Sequence, residues 1–96
     1  MNALLVQAQL GWKNPSANRS HIAHLLDSAA GEFELAVIPE TFTTGFLGDD
    51  DHDAEGMDGP TVSWMLEQCR KHNCALAGSA VITENEHRYN RMIFAT

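Results

Sequence analysis

Positive charge is scarce in this sequence: six Lys and Arg stand against thirteen Asp and Glu, for a formal net charge of −7. Without a basic stripe nothing can neutralise phosphates, which argues against a nucleic-acid partner. The same balance argues against an anionic membrane surface. Cysteine is sparse too. Cys69 and Cys74 are the two present, and their spacing is not the C-x-x-C of a redox or zinc site. They read as reduced thiols. No apolar run approaches the roughly 20 residues that span a bilayer. The opening Met1-Asn2-Ala3-Leu4-Leu5-Val6 has no basic segment ahead of its apolar part, and Gln7 and Gln9 interrupt it. No secretory signal is read here, and a cytoplasmic location is expected. Internal repeats, low-complexity tracts and linkers are also missing.

What is there is a globular composition, with 44% hydrophobic and 20% charged residues in 96. That length allows one small domain with a modest core. Met1 to Leu10 reads as a first strand, with Leu4, Val6 and Ala8 on one face. Asn14 can cap a helix, and Pro15 suits its first turn. Ile22, Leu25, Leu26 and Ala29 repeat at helical spacing, the apolar stripe of an amphipathic helix that Gly31 ends. Glu34 to Pro39 is the second strand, and Gly45 to Gly59 a polar loop. Pro60 opens a second helix with its stripe at Val62, Met65, Leu66 and Cys69. Ala75 to Thr83 forms a third strand and Arg88 to Ala95 a fourth, joined through the three residues Asn85-Glu86-His87. The order β-α-β-α-β-β predicts an α/β layer with both helices on one face of the sheet. The other face must then be covered, and the apolar final strand Met92-Ile93-Phe94-Ala95 wants a partner.

The stretch richest in chemistry is Leu35-Ala36-Val37-Ile38-Pro39-Glu40-Thr41-Phe42-Thr43-Thr44-Gly45-Phe46. A short apolar run bounded by punctuation reads as a buried strand of a parallel sheet. Ligands of open α/β sheets gather outside the carboxyl ends of the strands. Glu40 falls at such an end, where burial can tune a carboxylate into a general base. Phe42 and Phe46 either line a substrate pocket or anchor the loop.

This segment resembles the nitrilase (carbon–nitrogen hydrolase) superfamily, whose members carry a Pro-Glu pair at the end of the second core strand. Its wording is most similar to the ω-amidase branch. The resemblance continues in order through Gln7, the Trp12 loop, Asn14-Pro15 with Asn18-Arg19, Met57-Asp58-Gly59-Pro60-Thr61-Val62, Ala77-Gly78-Ser79 and Tyr89-Asn90-Arg91-Met92. It spans the N-terminal third of such a protein. The resemblance implies the N-terminal part of an α-β-β-α sandwich, with residues 1–96 an incomplete segment of a single carbon–nitrogen hydrolase domain.

The activity implied is hydrolysis of non-peptide carbon–nitrogen bonds in small ω-amides resembling 2-oxoglutaramate, without metal or organic cofactor. In the family a glutamate activates a cysteine thiol that attacks the amide carbon, and a lysine stabilises the tetrahedral intermediate. Ammonia leaves as the acyl-enzyme forms, and water then frees the acid. Position by position, Glu40 alone matches a catalytic residue; the lysine and cysteine motifs lie beyond this stretch. The 96-residue chain by itself is therefore expected to be inactive.

The remaining candidates have plainer readings. Cys69 lies on a helix stripe and Cys74 precedes a core strand, so both read as structural thiols. Lys71 sits in a last helical turn, where a cation suits the dipole. Asp49-Asp50-Asp51-His52-Asp53, with Glu55, departs from the calcium-loop pattern at Ala54 and Pro60 and reads as a solvated loop. His21 and His24 lack further ligands nearby. Tyr89 and Asn90 match a family pair on the strand near the base, with strand packing as the alternative. The expected partners are a small amide and either identical subunits or the remainder of the same domain. The rival reading is a truncated, non-enzymatic α/β module, or half of a split enzyme, that pairs with a second chain.

Overall fold

Parallel pairing of the first three strands forces each connection to cross over the sheet, and both helices sit in those connections. The computed structural model describes residues 1–11, 13–29, 32–45 and 55–96. Its elements are β1 (Ala3–Leu5), α1 (Pro15–Ser28), β2 (Leu35–Val37), α2 (Pro60–His72), β3 (Ala75–Glu84) and β4 (His87–Ala95). The four strands lie in chain order, with β1–β2 and β2–β3 parallel and β3–β4 antiparallel. This is the α/β arrangement expected.

Both N-terminal strands are shorter than the residue pattern suggests. Single bonds continue the ladder, from Val6 N–H to the Val37 carbonyl at 2.9 Å and from Ile38 N–H to the Ala77 carbonyl at 2.9 Å. Pro39 then has no N–H to offer, and the chain turns away. Alternation persists regardless: Leu4, Val6, Ala8 and Leu10 pack against the core while their odd-numbered neighbours are exposed.

One core joins Ile22 and Leu26 of α1, Met65 and Cys69 of α2, and Ala36, Leu76, Ala80, Ile82, Ile93 and Ala95 of the strands. Both helices therefore cover the same face. On α2 the buried line is Thr61, Met65, Gln68 and Cys69, while Leu66 is 38% exposed. Met65 and Cys69 of the expected stripe are buried and Val62 packs at its edge, while Thr61, bonded to Glu55, and Gln68 take the remaining buried places. Asn73, at φ 50°, closes α2 in the left-handed conformation that asparagine tolerates. Gly78 admits the chain leaving β2: a Cβ there would lie 2.4 Å from Ile38 Cγ1.

The β3–β4 connection is shorter than expected. Glu84 pairs directly with His87, leaving a two-residue turn in which Asn85 (φ 52°) and Glu86 (φ 65°) are both left-handed. Positive φ at both central residues suits the right-handed twist of a hairpin even without glycine.

Among the described residues, the opposite face of the sheet is open at several apolar positions, although Ser79 and Val81 on it are buried. Strand register places Leu5, Val37, Ala77 and Phe94 in one row. Leu5 is 74% exposed, Met92 68% and Phe94 64%.

Candidate active site

Glu40 stands where the sequence places it, just past the carboxyl end of β2 and at the start of a tight turn over residues 40–44. The turn is pinned to β3 through Ser79. Thr41 N–H donates to Ser79 Oγ at 2.8 Å, and Phe42 N–H donates to the Ser79 carbonyl at 3.1 Å. Thr41 adopts φ 43°, an uncommon backbone for a β-branched residue. Gly45 N–H closes the turn on the Thr41 carbonyl at 2.8 Å. The carboxylate reaches β4, where Asn90 Nδ2 donates to Glu40 Oε1 at 2.8 Å. Glu40 is exposed, so the burial expected to tune it is not supplied by the described residues. An apolar groove lined by Leu5, Val6, Ala8, Val37, Ile38 and Pro39 runs up to this point in the sequence.

Phe42 is wholly buried, its ring 5.5 Å from that of Trp64 on α2. These are the contacts of an anchor, one of the two jobs considered for it. Phe46 and the acidic run Asp49 to Asp53 lie outside the described residues.

A second clamp holds the turn from α1. Asn18 Nδ2 donates to the carbonyls of Gly11 and Thr43, each at 2.7 Å, and its Oδ1 accepts from Gly11 N–H at 2.8 Å. Lys13 N–H donates to the Thr44 carbonyl at 2.7 Å. One buried amide thereby ties the loop after β1 to the loop after β2. Side-chain amides do this well because they donate and accept at once.

Glu55 is the third fixed point. Its backbone bridges β3, donating to the Val81 carbonyl at 3.3 Å and accepting from Thr83 N–H at 2.9 Å. Its carboxylate accepts from Thr61 N–H at 2.6 Å and from Thr61 Oγ1 at 2.8 Å. Gly59 has no side chain to cap α2, and Glu55 supplies the missing acceptor at the positive end of the helix dipole. Arg19 on α1 joins the group, 3.2 Å from Thr61 Oγ1 and 4.0 Å from Glu55 Oε2.

The cysteines and Lys71 stand apart from Glu40. Cys69 is buried and its Sγ donates to the Ala95 carbonyl at 3.4 Å. Burial pushes both the Cys69 and Cys74 thiols above the usual cysteine range, which disfavours the thiolate that a nucleophile needs. Lys71 pairs with Asp27 at 3.0 Å, and His72 Nε2 lies 3.1 Å from the same carboxylate. His21 and His24 are exposed. Among the described residues no group of three or more His, Cys, Asp or Glu could hold a metal ion. No helix there is long and apolar enough to cross a membrane.

Of the pair Tyr89-Asn90, the strand pleat turns Asn90 toward Glu40 and Tyr89 to the other face. Tyr89 instead carries the Arg91 guanidinium 5.2 Å from its ring centroid. Sequence reasoning did not find the clamps formed by Asn18, Ser79 and Glu55. Asn18 and Ser79 lie within stretches singled out by resemblance, but their partners are 25 and 38 residues away, beyond any local pattern.

The model of the carbon–nitrogen hydrolase family matches residues 3–96. A 2-oxoglutaramate amidase from Bacillus subtilis (strain 168) is 27% identical over 92 residues, covering 94% of this chain and 36% of that protein. The crystal structure of XC1258 from Xanthomonas campestris, a CN-hydrolase superfamily protein with an arsenic adduct in the active site, superimposes with a TM-score of 0.90 at 39% identity. That match covers 98% of this chain and 36% of the other. The chain thus spans about a third of the length of these relatives.

Proposed function

The chain belongs to the carbon–nitrogen hydrolase family, and from that premise we propose that it is the base-bearing N-terminal segment of an amidase acting on small ω-amides resembling 2-oxoglutaramate. The observation that carries this reading is the placement of Glu40: a carboxylate just past the end of a parallel strand, bonded by Asn90 of β4, in a turn that Ser79 of β3 pins at Thr41. Glu40 takes the proton of a cysteine thiol supplied from outside these 96 residues. The thiolate adds to the amide carbon, a lysine from the same source stabilises the oxyanion, and the proton held by Glu40 passes to the leaving nitrogen, so that ammonia departs and leaves a thioester that water cleaves. Phe46 is assigned to the apolar lining of the substrate site, and Phe42, buried against Trp64, fixes the turn. No cofactor is required by this chemistry. The kinship with a 2-oxoglutaramate amidase supports the substrate class. We place the reaction in the cytoplasm, as expected from the sequence.

On this proposal the 96-residue chain alone is inactive, being one segment of a single domain. Ammonia release from 2-oxoglutaramate by the protein at its natural length, abolished in Glu40→Gln, is the expected result. Full activity in Glu40→Gln would remove Glu40 as the base. Activity of the 96-residue chain that vanishes in Glu40→Ala would overturn the claim that it is only a segment.

The open sheet face favours a second reading, a module that works by pairing with another polypeptide. Intact mass of the natural protein separates the two. A species several times 10.6 kDa supports the amidase segment, and a species of 10.6 kDa supports the paired module.

A further inference from the structure

We propose that Asn90 is the positioning residue of Glu40, holding one carboxylate oxygen so that the other faces the incoming nucleophile. This rests on Glu40 serving as the base, and it adds a residue on a different strand to that site.

The geometry comes from two adjacent strands. The β3 strand fixes the backbone beside Glu40, through Ser79 Oγ and the Ser79 carbonyl. The β4 strand fixes the carboxylate, through the 2.8 Å bond from Asn90 Nδ2 to Glu40 Oε1. Asn90 pairs with Val81 across the hairpin, two residues along β3 from Ser79. With a side-chain period of two, Ser79, Val81 and Asn90 share one face of the sheet. The anchor of the turn at Thr41 and the contact on the Glu40 carboxylate therefore come from one face of the hairpin, although Asn90 is 50 residues from Glu40 in sequence. An ionised carboxylate only accepts, so the amide nitrogen of Asn90, not its oxygen, must face Glu40.

The residue type matters as much as the place. A carboxylate base needs a fixed direction, because a misplacement of about 1 Å can cost on the order of a hundredfold in rate. A lysine or arginine here would fix it too, but would add a full positive charge opposing protonation of the base. A neutral amide donor holds the oxygen while opposing protonation less than a full charge does. Asn90 is itself exposed, so its hydrogen bond does little for the fold. That leaves orientation as its effect.

The test uses the protein at its natural length, with Asn90→Asp, Asn90→Gln and Asn90→Ala beside Glu40→Gln. Melting temperatures are expected to stay at the parent value in all three Asn90 variants. Hydrolysis of 2-oxoglutaramate is followed as separate kcat and KM values. Asn90→Ala should lower kcat by about ten- to a hundredfold with KM changed less than about threefold. Asn90→Asp, the closest in shape, should be the worst of the three, because it has no donor and sets a second carboxylate against the first. Asn90→Gln should recover part of the loss. A packing role predicts the reverse order, with Asp mildest and Gln worse, and that order would overturn the proposal. Loss of activity in Glu40→Gln with normal kcat in Asn90→Asp would sink the Asn90 proposal alone. Normal activity in Glu40→Gln would sink the base reading beneath it. The bond can also be checked without a substrate. The side-chain amide resonances of Asn90 should move in Glu40→Gln, and unmoved resonances would overturn the proposal.

Discussion

The two faces of the sheet are drawn from the same strands, yet their large apolar side chains differ sharply in exposure. Leu76, Ile82 and Ala36 have no exposed surface beneath the helices, whereas Leu5, Met92 and Phe94 on the other side are 64–74% exposed. An apolar residue left in water gains none of the roughly 25 cal/mol per Å² that burial provides. A strand apolar on both faces is the mark of a sheet covered on both. The helix-covered face holds the fold together, and the open face carries the Asn90 contact to the candidate base.

The largest test of that contrast is a pair of truncations in the 96-residue chain. Leu76→Ala should lower stability by about 2–5 kcal/mol, as for a fully buried leucine. Phe94→Ala should change it by less than about 0.5 kcal/mol, as for an exposed site. Urea unfolding reads both, and equal losses would mean that the open face is already covered. Gly78→Ala comes next. Its Cβ would meet Ile38 on the covered face at 2.4 Å, so overpacking should cost about 1–3 kcal/mol. A Gly78→Ala protein as stable as the parent would mean that β2 and β3 can part without loss.

Glu55→Ala sharpens the comparison at the point where α2 meets the sheet. Removing the acceptor for Thr61 should cost about 1–2 kcal/mol, as for a lost helix cap. Thermal melts should show less loss for Glu55→Gln, which keeps an acceptor oxygen. The smallest effect belongs to Asp27, at the helix ends away from both faces. The hydrogen bond from Lys71, then the charges of Lys71 and His72, hold its carboxyl below the ordinary value of 3.8. A lowered folded value means that the stabilisation is present above pH 3.8 and fades as the pH falls through the lowered value. Asp27→Asn should therefore melt slightly below the parent at neutral pH and low salt, and the gap should close in acid or in high salt.

Much of this was legible in the residues. Element order, the parallel pairing and the helix-covered core follow from periodicity and punctuation, and those signals are local. Glu40 was readable because an apolar run ends on it. The burial of Thr61 and Gln68 on α2 was not, because both are polar, and the bond from Thr61 to Glu55, six residues before it, is recorded by no periodicity. The short hairpin turn was missed because asparagine and glutamate, without glycine, accept left-handed backbone there.

By itself the sequence determined the α/β class and the family and singled out Glu40 as the candidate base, since each rests on residue types read in order along the chain. Only the tertiary structure decided which groups hold that base. Ser79, Asn90 and Asn18 come to residues 40–45 across 25 to 50 positions of chain, and sheet register alone brings such distant groups within hydrogen-bond reach.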